Sequence, residues 1–289
     1  MNDRTPNRFT RSWTSAAAGV LLWISRTLLS LLISYPIVLA IQATSMTAGP
    51  DGDAVLFQPG SLLLLELLRL GAAWLASATQ LALLLLGVSA IIELVPLALA
   101  LDLLSTPGRP LHERWTRALR LFPKFLALGA ITLLVQAALL LAASLLGAAL
   151  KPALASTDER LRTLAPIALT GLGLLACTWF GSVLDVARAT LVRHAASQTE
   201  CGARTALARA LVCLRLRPLR VLLGPYPSVA GSAFAFLAAA WVTTCFLPAR
   251  PWGLALALGF FVHQLAMLFA IAWRVRWLST ALQLSAESD

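Results

Sequence analysis

The sequence predicts an all-α membrane protein with six transmembrane helices and three amphipathic interfacial elbow helices. The first observation behind this fold class is composition: 59% of the 289 residues are hydrophobic and 12% are charged. A soluble globular protein carries about 25% charged residues. The second is that six stretches without any charged residue each exceed the roughly 20 apolar residues needed to cross a bilayer. The third is that the basic residues collect between alternate stretches.

The six stretches differ in length, but none alternates polar and apolar residues as the strands of a membrane barrel do. The spacing therefore predicts six spanning helices and no barrel. The stretches cover residues 27–50, 70–92, 125–150, 163–184, 221–249 and 251–273.

Basic residues are distributed unequally between the two sides of the predicted membrane. Of 23 lysines and arginines, 18 lie in the N-terminal segment, the second and fourth connections and the C-terminal end, and 5 lie in the alternate connections. Because basic residues concentrate in cytoplasmic segments, we expect a multi-pass protein of the cell inner membrane with both termini cytoplasmic. The isoelectric point near 10.9 then indicates contact between cytoplasmic arginines and anionic lipid headgroups, rather than nucleic-acid binding.

Short basic, amphipathic segments precede the odd-numbered spans. Residues 9–25, 111–121 and 203–216 each place apolar residues at three- and four-residue spacing beside arginines, which is typical of helices lying in the membrane interface. The last two are followed by Pro123 and Pro218, and proline suits the first turn of a new helix. These segments are the three predicted elbows.

The elbows belong to a possible internal repeat with a period near 95 residues. At an offset of 92, Arg117-Ala118-Leu119 matches Arg209-Ala210-Leu211. At an offset of 191, Tyr35-Pro36 matches Tyr226-Pro227, and these are the only two tyrosines. The alternative is that elbows recur simply because basic segments precede outward spans. A repeat predicts two-helix units at 9–103, 104–196 and 197–289 within one membrane domain.

Three short motifs carry a resemblance to known proteins. They are Phe122-Pro123-Lys124, the polar stretch Thr132-Leu-Leu-Val-Gln136, and Asp185-Val-Ala-Arg188 at the end of the fourth span. Over roughly residues 85–225 the chain resembles uncharacterised bacterial six-helix inner-membrane proteins, including the membrane domain attached to some glycerophosphodiester phosphodiesterases. The resemblance implies a six-helix bundle and supplies no catalytic residues.

Polar side chains inside spans are costly and often functional. The candidates for an intramembrane polar site are Tyr35, Glu93, Gln136, Asp185, Arg188, Tyr226, His263 and Gln264. Each has a structural alternative, because a polar side chain also serves as an interhelical hydrogen bond.

The acidic candidates lie where the second and fourth spans approach the cytoplasm. Arg188 follows Asp185 by three residues, so both share a helix face, and Arg274 and Arg276 reach the same level from the sixth span. We expect these residues and Glu93 to form an ion-pair network that fixes packing. A role in proton or ion coupling is the alternative.

The two Tyr-Pro steps predict a second feature. A tyrosine hydroxyl at membrane depth needs a partner, so we expect both tyrosines to face the interior, with at least one near Gln136, His263 or Gln264. The segment 224–227, Gly-Pro-Tyr-Pro, also predicts a break in the fifth span, because two prolines remove two backbone donors.

Taken together, the patterns predict a non-enzymatic membrane protein that binds lipids or partner proteins. The alternative is a small-molecule or ion transporter with a site between the broken fifth span and the sixth. No phosphate-binding loop, dinucleotide fingerprint or metalloprotease motif occurs. The four cysteines have no zinc-ligand spacing, so we expect no metal and no cofactor.

The topology is testable by labelling single cysteines. In a background without native cysteines, a cysteine at Asp53 or Thr157 should react with an impermeant thiol reagent added to intact cells, because both positions face outward in the predicted topology. A cysteine at Gln198 should react only after the membrane is opened. Labelling at Gln198 in intact cells would overturn the orientation.

Overall fold

The computed structural model describes residues 8–42, 72–153, 159–246 and 253–287. Helices account for nearly all of these residues, and strands are absent from the described ranges. The helices are α1 (Arg8–Gln42), α2 (Ala72–Ile92), α3 (Leu94–Ser105), α4 (Leu111–Ala153), α5 (Glu159–Ala196), α6 (Ala203–Leu216), α7 (Pro218–Leu223), α8 (Tyr226–Phe246) and α9 (Gly253–Glu287). The labelling positions Asp53 and Thr157 lie outside the described residues.

Six helical segments are long and apolar enough to cross a membrane, which confirms the predicted all-α, multi-pass fold. The segments are Trp13–Pro36, Ser77–Ser105, Leu111–Leu150, Ile167–Ala196, Pro218–Thr243 and Ala257–Glu287. At their basic ends these segments extend beyond the charge-free stretches. The reason is that the helices continue through charged positions such as Arg26 and Asp185.

The elbows differ from the prediction in two cases out of three. Residues 9–25 are the beginning of α1, and residues 111–121 are the first turns of α4. Only the third elbow is a separate helix, α6, which ends where Arg217 leaves helical geometry before Pro218. Proline alone does not decide the outcome, since Pro123 lies within the continuous helix α4.

Helices pack in sequential pairs. Helix α1 packs on α2 and α3, α4 on α5, and α8 on α9, while α3, α5 and α9 contact one another. Each of these three inner helices also contacts the start of the next pair: α3 touches α4, α5 touches α6 and α7, and α9 touches α1. This pattern of contacts is the one expected if the chain consists of three two-helix units. A symmetric repeat of the units remains a prediction of the sequence.

The core lies at one end of the bundle, where α3, α5 and α9 finish and α4 and α6 begin. We call this the arginine-rich end. Fully buried side chains there include Leu101, Phe125, Leu191 and Leu278. Towards the opposite end large apolar side chains are exposed on several helices, among them Leu134, Phe234, Leu237, Trp241 and Phe260. Exposed apolar surface of this kind fits a hydrocarbon surrounding, since lipid solvates it as well as protein does.

The predicted break in the fifth span is present only as a short interruption of the helix, and Gly224 keeps α-helical backbone angles within it. Helix α7 ends at Leu223 and α8 begins at Tyr226, so the interruption falls on Gly224 and Pro225. Gly224 is required there by close approach, because a Cβ at this position would overlap the ring of Trp277. The absence of a side chain at Gly224 therefore leaves room for the indole of Trp277 on α9.

Candidate functional site

Asp185 is the centre of a buried polar network at the arginine-rich end. Its carboxylate accepts two hydrogen bonds from Arg274, at 2.6 and 2.9 Å, and a third from the indole nitrogen of Trp277 at 2.9 Å. Arg188, one turn later on the same helix, adds a fourth at 3.3 Å. The carboxylate side chain is only 4% exposed. The network therefore joins α5 to α9 through charge-assisted bonds, which are stronger than neutral ones.

Glu93 forms the second acidic position of the same region. It lies at the step between α2 and α3 and accepts a hydrogen bond of 2.8 Å from Arg26 on α1. Glu93 is also near enough to Arg188 and Arg274 to interact with both electrostatically. Three arginines therefore surround two carboxylates. The predicted packing network exists, with Arg26 as a member that the sequence reasoning did not include.

Arg276 does not join this network, contrary to prediction. Its guanidinium lies 5.4 Å from the centre of the Trp273 ring and stacks on it. The reason is helical geometry: Arg276 is two residues from Arg274, so the two side chains leave α9 in different directions. Trp277, three residues after Arg274, lies on the correct face and donates to Asp185.

A second buried network was missed by the sequence reasoning. Asp102 near the end of α3 pairs with Arg114 at 3.2 Å and with Arg117 at 2.8 Å. Arg114 also donates to the backbone carbonyls of Asp102, Thr106 and Arg109, so it closes the C-terminal end of α3 and the turn that follows. The signal was present in the sequence: an aspartate at the end of an apolar helix, followed by two arginines on one face of the next.

The remaining predicted residues do not form one site. Gln136 donates to the carbonyl of Cys177 at 3.2 Å and holds α4 to α5. Gln264 accepts a bond of 3.0 Å from the indole of Trp23 and holds α9 to α1. His263 is exposed and bonds to the carbonyl of Gly259 on its own helix. Gln136 and Gln264 therefore form interhelical hydrogen bonds, and His263 forms a bond within its own helix. These bonds hold helices together and do not build a ligand site.

The expectation for the tyrosines is wrong at one position. Tyr35 is 62% exposed, so it does not face the protein interior. It lies on the half of α1 away from the arginine-rich end, where Leu31, Leu32 and Leu39 are exposed as well. Tyr226 has a buried hydroxyl that finds no hydrogen-bond partner within the described part of the chain. A shared pocket of the two residues is therefore not formed.

Cavities open at the arginine-rich end. One of about 570 Å³ lies between the start of α4, the end of α5 and the turn after it. Its walls carry three basic side chains, one histidine and two acidic side chains: Arg117, Arg120, Lys124, His112, Glu113 and Glu200. Another of about 540 Å³ lies between α1, α3, α5 and α9. Both are openings to the surface of the protein, lined by polar groups that can bind charged headgroups or solutes.

Metal binding has no support from the geometry of the described ranges. No group of three or more histidine, cysteine, aspartate or glutamate side chains lies together there in a way that would hold an ion. Comparison of the chain with family models, curated proteins and solved structures found no match.

Asp185→Asn should destabilise the protein far more than Glu113→Gln. The asparagine leaves Arg188 and Arg274 without a counter-charge in a poorly hydrated place, which typically costs about 3–5 kcal/mol. Glu113 is about half exposed and lies 3.8 Å from Arg109, so its loss should stay within about 0.5 kcal/mol. Thermal unfolding in detergent compares the two; equal midpoints would contradict a structural role for Asp185.

Proposed function

We propose that this multi-pass protein is a non-enzymatic protein of the bacterial inner membrane whose arginine-rich end faces the cytoplasm and binds the headgroups of anionic lipids. The observation that carries the proposal is the outer face of α6. An interfacial helix places apolar side chains in the acyl region and basic side chains at the headgroups. Helix α6 and the residues just after it combine both on one exposed surface.

The inner face of α6 is small and buried. Ala206, Ala210 and Cys213 are between 0% and 2% exposed and pack against the bundle, so the helix is fixed in place. Burial raises the pKa of the Cys213 thiol, and the nearby Glu287 carboxylate acts in the same direction. The thiol therefore stays protonated and apolar, as a packing residue should.

The outer face of α6 is mixed. The exposed apolar side chains of α6 are Leu211, Val212 and Leu216, and Leu219 follows on α7. The exposed basic side chains are Arg204 and Arg215 on α6, then Arg217 and Arg220 just after it. Arg217 is paired with Glu287 at 2.8 Å. The other three arginines have no carboxylate partner among the ion pairs of the described residues, so they are positioned to bind lipid phosphates.

The first turns of α4 repeat this composition. Leu111, Trp115 and Leu119 are 72%, 49% and 49% exposed, and Arg120 is exposed beside them. Tryptophan is enriched at the membrane–water boundary because its ring is amphipathic. The same level of the bundle thus presents two surfaces suited to a lipid interface.

Transport, the alternative, has weaker support. A transport site was expected to unite the broken fifth span with polar residues of the sixth. In the structure Gly224 at the break packs against Trp277, His263 is exposed, and Gln264 bonds to Trp23. Gly224 and Gln264 therefore act in packing. The cavity of about 480 Å³ beside Gly224 is lined by neither His263 nor Gln264.

Removing three positive charges from α6 and its continuation should weaken binding of anionic lipid. The full chain in detergent is titrated with phosphatidylglycerol or phosphatidylcholine and read by native mass spectrometry. Wild type should retain phosphatidylglycerol in preference. The variant R204Q/R215Q/R220Q should lose up to about 100-fold in affinity, since each arginine near an anionic surface contributes about 1 kcal/mol.

The matched control is K151Q/R160Q/R162Q. It removes three positive charges near the opposite end of α4 and α5 and should keep the affinity of wild type. Equal losses in both variants would show that net charge alone governs binding. An unchanged affinity of the α6 variant would contradict the proposed function.

A further inference from the structure

The cavity of about 570 Å³ between the start of α4, the end of α5 and the turn after it carries both charges on its walls. We call it the α4–α5 cavity. Its volume lies within the range of roughly 300–1,000 Å³ that is usual for small-molecule sites. Arg120 and Lys124 belong to the wall that α4 supplies, and Glu200 belongs to the wall supplied by the connection between α5 and α6.

The wall that carries Glu200 is held in place. Lys124 donates to the carbonyl of Cys201 at 2.8 Å, and the backbone amide of Thr199 donates to the carbonyl of His194 at 3.0 Å. Within this turn Gln198 has a φ of 58°, which is uncommon for a residue with a side chain and recurs at binding sites. The turn therefore presents Glu200 from a defined backbone position.

Two charged side chains of the cavity are available to a ligand. Arg120 and Glu200 are exposed, and neither forms an ion pair with any residue that the structure describes. Lys124 bonds to a neutral carbonyl, so its charge is not compensated by that contact. The other charged side chains are engaged: Arg117 takes part in an ion pair with a buried carboxylate, and Glu113 lies 3.8 Å from an arginine one turn earlier.

A ligand of a single sign is poorly matched to these walls. An anion would be attracted by Arg120 and Lys124 and repelled by Glu200, and a cation would meet the reverse, because like charges placed together are costly. A molecule that carries an anionic and a cationic group satisfies both walls. Arginine and lysine together suit a phosphate, which accepts several hydrogen bonds, and a carboxylate suits an ammonium, which donates them.

The position of the cavity along α4 places it at the membrane surface. Lys124 directly precedes the uncharged stretch 125–150, so it lies where that span leaves the hydrocarbon. Leu111, Trp115 and Leu119 follow one another at four-residue spacing on an exposed face of the same helix, which suits contact with lipid. The cavity is thus at the level of lipid headgroups, with Lys124 next to the acyl region.

We propose that the α4–α5 cavity binds a small molecule carrying a phosphate and a primary ammonium group, with Arg120 and Lys124 as contacts of the phosphate and Glu200 as the contact of the ammonium. The molecule is either the ethanolamine headgroup of a zwitterionic phospholipid or a soluble aminoalkyl phosphate. Such binding is separate from the retention of anionic lipids by α6, because it uses residues outside α6 and requires an ammonium that phosphatidylglycerol lacks.

The test uses the full chain in detergent and follows its thermal midpoint, because a ligand that binds only the folded state raises it. The lipid arm compares phosphatidylethanolamine with phosphatidylcholine, whose trimethylated ammonium has no N–H to donate to Glu200. The soluble arm compares phosphoethanolamine with inorganic phosphate at equal ionic strength. Wild type should be stabilised saturably by the ethanolamine compound in at least one arm. The lipid arm alone indicates a headgroup site, and the soluble arm alone indicates a soluble ligand. Absence of this preference in both arms would overturn the proposal.

Glu200→Gln should bind the ethanolamine compound about tenfold more weakly and lose the preference for it, because the ammonium loses its charged acceptor. Arg120→Gln should weaken the binding to a similar extent. The matched controls Glu287→Gln and Arg215→Gln remove the same charges at exposed positions outside the cavity and should bind as wild type does. Wild-type affinity in both cavity variants, or equal losses in the controls, would contradict the proposed site.

A variant that changes no charge tests the cavity itself. Thr116 is exposed in the cavity wall, so Thr116→Phe places a ring in the space and leaves every charged side chain present. It should abolish the saturable stabilisation while the midpoint without ligand stays near that of wild type. Binding with wild-type affinity in Thr116→Phe would overturn the proposal.

The two kinds of lipid binding are separated by exchanging the variants. Glu200→Gln should retain phosphatidylglycerol at least as well as wild type, and R204Q/R215Q/R220Q should keep the preference for the ethanolamine compound. Loss of that preference in the α6 variant would show that the α4–α5 cavity is not the site, whereas failure of the α6 variant to lose phosphatidylglycerol bears only on the proposed function.

Discussion

A carboxylate withdrawn from water in a membrane protein has to be neutralised, and Asp185 meets this constraint with two arginines and an indole. The cost of an unpaired buried charge is several kcal/mol, so the donors on α9 have to stay in register with α5. Trp277 reaches the carboxylate only because Gly224 has no side chain at the break before α8. One ionic contact therefore positions α5, α7, α8 and α9 together.

The location of this network explains the uneven packing of the bundle. Buried side chains surround the arginine-rich end, where Asp185, Glu93 and Asp102 are each held by arginines from other segments. Within the most apolar 18-residue stretch of each spanning segment, no more than 22% of the residues are buried inside the protein. Apolar side chains can stay exposed there because hydrocarbon solvates them without cost. The polar end is thus both the most closely packed part and the part with cavities suited to ligands.

Sequence reasoning predicts spans well here because the signal is the absence of charge over some 20 residues. It also placed Asp185 and Arg188 in a network, from their spacing on one helix. It failed where the answer depends on how helices rotate against each other. Arg276 was expected beside Asp185 and stacks on Trp273, and Tyr35 was expected inside and lies outside. Leucine-rich helices carry no clear apolar stripe, so their inward faces are not readable from periodicity.

The central claim is that Asp185 and Arg274 stabilise the fold as a pair. A double-mutant cycle with Asp185→Asn, Arg274→Gln and the combined variant measures this directly by chemical unfolding in detergent. The account predicts that the double variant is little less stable than either single one, with a coupling energy of at least about 2 kcal/mol. Additive losses within about 0.5 kcal/mol would show that the two side chains act independently, and would contradict it.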